Sequence, residues 1–102
     1  MSGLQAQLNQ SGDCLTVQGA LTLESVPALE KALDSLGWPI RRVELGQVER
    51  VDSAALAWLV ALARRARENG VSPIFANPPQ SLRILVQLYE LDFLPFEPKE
   101  AA

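Results

Sequence analysis

The stretch Val51-Asp52-Ser53-Ala54-Ala55-Leu56 constrains this chain most: an apolar run ends on two oxygen-bearing side chains, and a long series of small and aliphatic residues follows. The first N–H groups of a helix have no partner inside it, and an Asp or Ser at its start can accept from them. One of the pair can therefore close the helix end and leave the other facing outward. The residues alone leave open which does what, and a Ser53 that merely caps the helix is the plain alternative to a functional one. The helix is expected from about Ala54 to Asn69, with Gly70 as its left-handed stop. On a helical projection Leu56, Leu59, Val60 and Ala63 share one stripe, Trp58 and Leu62 sit at its shoulder, and Arg64, Arg65 and Glu68 point away. This apolar arc is wider than a core alone demands.

Upstream, Leu4, Ala6 and Leu8 alternate with Gln5, Gln7 and Asn9, the period of a strand with one buried face. A turn cluster at Ser11-Gly12-Asp13 leads to a second alternating run containing Leu15 and Val17, which Gly19 closes, so the two form a hairpin. Its polar face would carry Gln5, Gln7, Asn9, Thr16 and Gln18. Val26, Leu29, Leu33 and Leu36 then fall at helical intervals, with Ser25 as cap, Pro27 in the first turn and Gly37 as stop. Trp38-Pro39 reads as a loop, and Val43 and Leu45 make a short buried strand leading through Val48 to the junction. Beyond the long helix, Ile74-Phe75-Ala76 reads as a short strand, and Asn77-Pro78-Pro79 as a break. A third helix from Gln80 to Tyr89 would turn Leu82, Leu85, Val86 and Tyr89 inward. Leu91, Phe93, Leu94 and Phe96 then form an edge strand or apolar cap, and residues from about 97 to 102 form a frayed tail.

A strand, helix, strand succession closes best as a right-handed parallel crossover. The expected fold is therefore α/β: one domain spanning residues 1–102, with a mixed β-sheet opened by an antiparallel hairpin and helices packed mainly on one face. With 102 residues, 48% of them hydrophobic, the chain has room for one core and not two. Nine basic against twelve acidic side chains give a net charge of -3, the wrong sign for a surface that follows nucleic-acid phosphates. Cys14 is the single cysteine, which rules out an intrachain disulfide; its expected role is a small apolar filler of the sheet. The opening residues lack the basic start and apolar run of a signal peptide, and no apolar stretch approaches the roughly 20 residues of a membrane span. The expected compartment is the cytoplasm.

A search for chemistry returns mostly absences. The chain has no histidine, and Ser53 lies in Val-Asp-Ser-Ala-Ala without the glycines of a nucleophile elbow. There is no phosphate-cradling GxxxxGK loop and no Cys/His spacing for zinc. Acidic pairs such as Glu44 and Glu49 are more simply explained by solvation than by general acid work. No catalytic residue, cofactor or metal is expected. Trp58 and Leu62 could anchor a partner or fill the core. Arg64, Arg65 and Arg67 could meet an acidic protein surface or form a solvated face near the helix end.

Val48-Glu49-Arg50-Val51-Asp52-Ser53-Ala54-Ala55-Leu56, with a strand before it and a small-residue helix after it, resembles the signature of the STAS domain, found in anti-sigma factor antagonists and sulfate transporter tails. The Leu15-Thr16-Val17-Gln18-Gly19 strand, the helix around Pro27 to Leu36 and Leu88-Tyr89-Glu90-Leu91 extend the resemblance over nearly the whole chain. Its small size and the stretch from Phe75-Ala76-Asn77-Pro78-Pro79 to Leu88-Tyr89 are most similar to the MlaB-type branch, the STAS subunits of phospholipid-transport ABC complexes. The resemblance implies a non-enzymatic regulator that acts by docking. The hydroxyl after the Asp, here Ser53, is where switching kinases phosphorylate antagonists; in the MlaB-type branch it lies at the surface that holds the transporter's ATPase subunit. Ser53 and Asp52 are thus the expected phosphorylation or docking pair, with Ala54, Ala55, Trp58, Leu62 and Arg65 as interface candidates. Family members often carry glycine at the position of Ala55, and the extra methyl favours ATPase docking over kinase recognition. The implied partner is an ABC ATPase subunit or, alternatively, an anti-sigma factor kinase, with the membrane reached only through the transporter.

Overall fold

The computed structural model describes residues 6–91 and 93–97. The expected strand position of Leu4, the outward position of Gln5 and the tail from 98 to 102 lie outside these residues. Strand β1 (Ala6–Ser11) pairs antiparallel with β2 (Cys14–Leu21) around the two-residue loop Gly12-Asp13. Gly12 has φ +61° at the first loop position, where primed hairpin turns favour glycine. Parallel pairing of β2 with β3 (Arg42–Val51), and of β3 with β4 (Ile74–Ala76), completes a mixed sheet in the order β1-β2-β3-β4.

β3 is longer than its sequence period suggests. Its buried residues Val43, Leu45 and Val48 are spaced by two and then three, and its register against β2 slips twice, between Thr16 and Gln18 and between Gly19 and Ala20. At each slip β3 advances one residue more than β2, as a β-bulge requires, so the inward face is kept while the period is broken. One ten-residue strand therefore replaces the short strand and linker expected. Gly19 does not end β2: it adopts φ +91° at the second slip, and the strand continues to Leu21.

The helices are α1 (Val26–Ala32), which tightens into a 3-10 turn at Leu33–Ser35, α2 (Ser53–Glu68) and α3 (Gln80–Leu88). They cover one side of the sheet, where Leu15, Val17, Val43, Leu45 and Phe75 meet Leu29, Leu59, Leu62 and Leu82 in a single core. The other side carries polar groups such as Gln18 and Gln47, which hydrogen-bond each other. Cys14 shares that side with Thr16 and is half-buried there, not packed in the core.

Three expected details are corrected. Ser25 precedes α1 but does not cap it; its Oγ accepts from the Thr22 N–H at 3.0 Å and donates to the Ala20 carbonyl at 2.6 Å, which closes the turn after β2. Gly37 is not a left-handed stop, because the 3-10 turn already ends in an extended Leu36; instead the Gly37 N–H donates to the Gln10 side chain at 2.9 Å. Tyr89 caps the C-terminal end of α3 and is 55% exposed, leaving Leu82 and Val86 as the buried inner face. The last apolar segment does close the sheet edge: Phe96 bridges Phe75 in parallel, and the Glu97 N–H donates to the Phe75 carbonyl at 2.9 Å. Glu97 is thus held to β4 and does not begin a frayed tail.

Candidate functional site

β2 and β3 end side by side, with Leu21 opposite Val51, so the turn into α1 and the start of α2 form one knuckle. Asp52 holds it together. Its extended backbone sits one residue before α2, and its Oδ1 accepts from the Ala54 N–H at 2.8 Å, satisfying one of the free donors of the first turn. The second oxygen, Oδ2, accepts from the Leu23 N–H at 3.0 Å in the turn after β2. The Asp52 N–H itself donates to the Leu21 carbonyl at 3.2 Å. One carboxylate therefore caps the long helix and pins the neighbouring turn.

With Asp52 in the cap, Ser53 is the first helical residue and its side chain is exposed. The question left open by the sequence is settled by this division: the Asp is structural and the Ser faces out. Ala57, one turn further along the same helix face, is also exposed, which gives the approach to Ser53 a low profile. Beside it stands Leu23, 72% exposed and followed by the exposed Glu24. The residue signals did not pick out Leu23, which lies between the expected strand end at Gly19 and the expected helix start at Val26. Its isolation between Thr22 and Glu24 was the available clue.

Other expected interface residues point elsewhere. Ala55, Trp58 and Leu62 are fully buried, because the face of α2 that meets the sheet is the one carrying Ala55, Leu59, Leu62 and Ala66. No partner can touch them without unfolding the helix. The Ala55 methyl therefore lies in the core and gives no reason to prefer one docking partner over another. Ala54 is half-buried against the core and contributes mainly its capped N–H. Arg65 reaches back to Asp34 at 2.6 Å, tying α2 to the turn after α1, an exposed pair worth at most about 1 kcal/mol. Among the described residues no cluster of His, Cys, Asp and Glu is arranged as metal ligands would be.

The two roles of Asp52 can be separated. Asp52→Ala removes cap and link and is expected to cost about 1–2 kcal/mol. Asp52→Asn keeps a good capping oxygen but has no second acceptor for the Leu23 N–H. Chemical denaturation should show the alanine variant clearly weaker than the asparagine variant, while amide exchange at Leu23 accelerates in both. Equal loss of stability in the two variants would show that the cap is not what Asp52 contributes.

Residues 4–95 match the family model described as MlaB, STAS domain. The chain belongs to the MlaB-type STAS domain family. Among solved structures, it is similar to a candidate anti-sigma factor antagonist from Thermotoga maritima, with a TM-score of 0.72 and 18% identity over 91% of this chain and 86% of that one. It is also similar to the anti-sigma factor antagonist SpoIIAA in its unphosphorylated form, with a TM-score of 0.60 and 15% identity over 93% and 89% of the two chains. At these identities the likeness is one of fold, and it agrees with the single STAS-like α/β architecture described above. No curated protein matches the sequence.

Proposed function

We propose that this STAS domain is a protein-binding regulatory subunit that presents the Ser53 face to the ATPase subunit of a phospholipid-transport ABC complex. The observation that carries this reading is the division of labour at the start of α2. Asp52 uses both carboxylate oxygens within the chain, and Ser53 stands exposed beside the solvent-facing Leu23. A small polar group flanked by one apolar side chain on a rigid helix end suits a preformed docking surface, with little ordering needed on binding. Membership of the MlaB-type family supports the transporter as the partner. No helix among the described residues is long and apolar enough to cross a membrane, and in this reading the domain reaches the cytoplasmic side of the inner membrane through its partner.

The same exposed hydroxyl supports a second reading, an antagonist that captures an anti-sigma factor kinase and is released when Ser53 is phosphorylated. Purification of the tagged chain from its native cells separates the two. Stoichiometric recovery of an ABC ATPase is the expected result; recovery of a kinase that phosphorylates Ser53 in the presence of ATP would replace the first reading with the second.

A further inference from the structure

Three arginines near the C-terminal end of α2 have different surroundings. Arg65 is paired with Asp34, but Arg64 and Arg67 make no ion pair among the described residues. Both border a groove of about 390 Å³ between α2 and the segment after α3, and among the described residues no acidic side chain lines it. Val60, Ala63 and Leu94 supply apolar lining, and Phe93 stands on the opposite side, 69% exposed. In a chain of net charge -3, these two arginines set positive charge beside an apolar surface, while Glu30 and Glu68 line the neighbouring hollow that Arg64 also borders.

We infer that this groove binds an acidic segment of a partner protein, in which an aliphatic or aromatic side chain enters the groove and flanking carboxylates reach Arg64 and Arg67. Arginines three residues apart on a helix face are neighbours, and their planar guanidinium groups match carboxylates with paired N–H donors. The apolar lining and Phe93 give such a segment an anchor that a bare anion would not use. A nucleic-acid strand fits poorly, because two arginines offer no continuous track for its phosphates and the chain as a whole repels them. The arginines favour the negative end of the helix dipole as well, but that role needs neither the groove nor Phe93. The site is separate from the Ser53 surface: Arg64 lies eleven residues along α2, about 16 Å from it. The inference therefore stands or falls independently of the reading given for Ser53.

The test is fluorescence anisotropy with the full chain and a short labelled peptide carrying Leu and Phe flanked by glutamates, set against the same peptide with glutamines in their place. The acidic peptide is expected to bind, more weakly as salt rises, and the glutamine peptide to bind about tenfold less tightly. The double variant Arg64→Gln, Arg67→Gln and the single variant Phe93→Ser should each weaken the acidic peptide about tenfold, with circular-dichroism melts confirming that both remain folded. Equal binding of the two peptides, no binding by the native chain, or binding unchanged in both folded variants would overturn the inference. Self-association that Phe93→Ser abolishes, in the absence of peptide binding, would also overturn it and assign the groove to a second copy of the chain.

Discussion

Trp58→Ala is expected to lower the unfolding free energy by about 3–5 kcal/mol, whereas Trp58→Phe is expected to change it by about 1 kcal/mol or less. The indole is completely buried on the sheet-facing side of α2, so alanine would leave a large void among side chains that cannot fully collapse into it. Phenylalanine leaves a smaller one and also removes a liability, because the buried Trp58 Nε1 has no hydrogen-bond partner among the described residues. An unpaired buried donor costs about 1–3 kcal/mol, which offsets much of the lost packing. Urea unfolding followed by far-ultraviolet circular dichroism would measure both, avoiding a fluorescence signal that the substitutions themselves change. For a domain whose total stability is about 5–15 kcal/mol, the alanine variant approaches the folding threshold. Loss of partner binding in that variant would accordingly report unfolding and not a lost contact. A phenylalanine variant as damaged as the alanine one would show that the indole N–H has a partner in solution.

Trp58 also shows what the residue pattern could and could not convey. The existence of α2, its left-handed stop at Gly70 and the Asp-Ser start were all legible, because caps and breakers act within a few residues. Which way the helix turns was not. Leu56, Leu59, Val60 and Ala63 form a plausible stripe, but the buried face is rotated towards Ala55, Leu59, Leu62 and Ala66. Alanine carries little hydrophobic signal, yet on this face its small size lets the helix approach the sheet. That rotation moves Trp58 from the shoulder into the core. In β3 the bulges hid the strand for a related reason: period-based reading assumes a constant register, and two extra residues break it while the chain remains paired. Ser25 looked like a cap because serine before a helical run usually is one, but the tight turn after β2 offered its hydroxyl nearer partners. The exposed hydroxyl at Ser53 was legible as one of two options; Asp52 takes the cap through the neighbouring Ala54 N–H and also holds the Leu23 N–H, 29 residues away. No local pattern encodes a contact of that kind.

Ser53→Glu is expected to weaken docking of the partner by tenfold or more while leaving the fold intact, and Ser53→Ala to weaken it far less. The side chain is exposed and Asp52 already serves the helix cap, so neither substitution removes an internal hydrogen bond that the fold uses. A glutamate in the first turn of α2 sits at the positive end of the helix, where a carboxylate is tolerated or contributes about 0.3–1 kcal/mol. Thermal melts of both variants should therefore stay close to that of the native chain. Docking is a different matter, because a partner surface that fits a small neutral hydroxyl would bury the new charge next to Asp52, and an unpaired or like-charged group at an interface costs several kcal/mol. Phosphorylation would act in the same direction with a charge of about -1.5 to -2, so the glutamate variant measures how far this face could be switched by a kinase. Titration calorimetry with the partner recovered by co-purification reads the difference directly, since each tenfold loss corresponds to about 1.4 kcal/mol. Unchanged affinity in the glutamate variant would place the contact surface elsewhere on the domain, whatever partner is recovered.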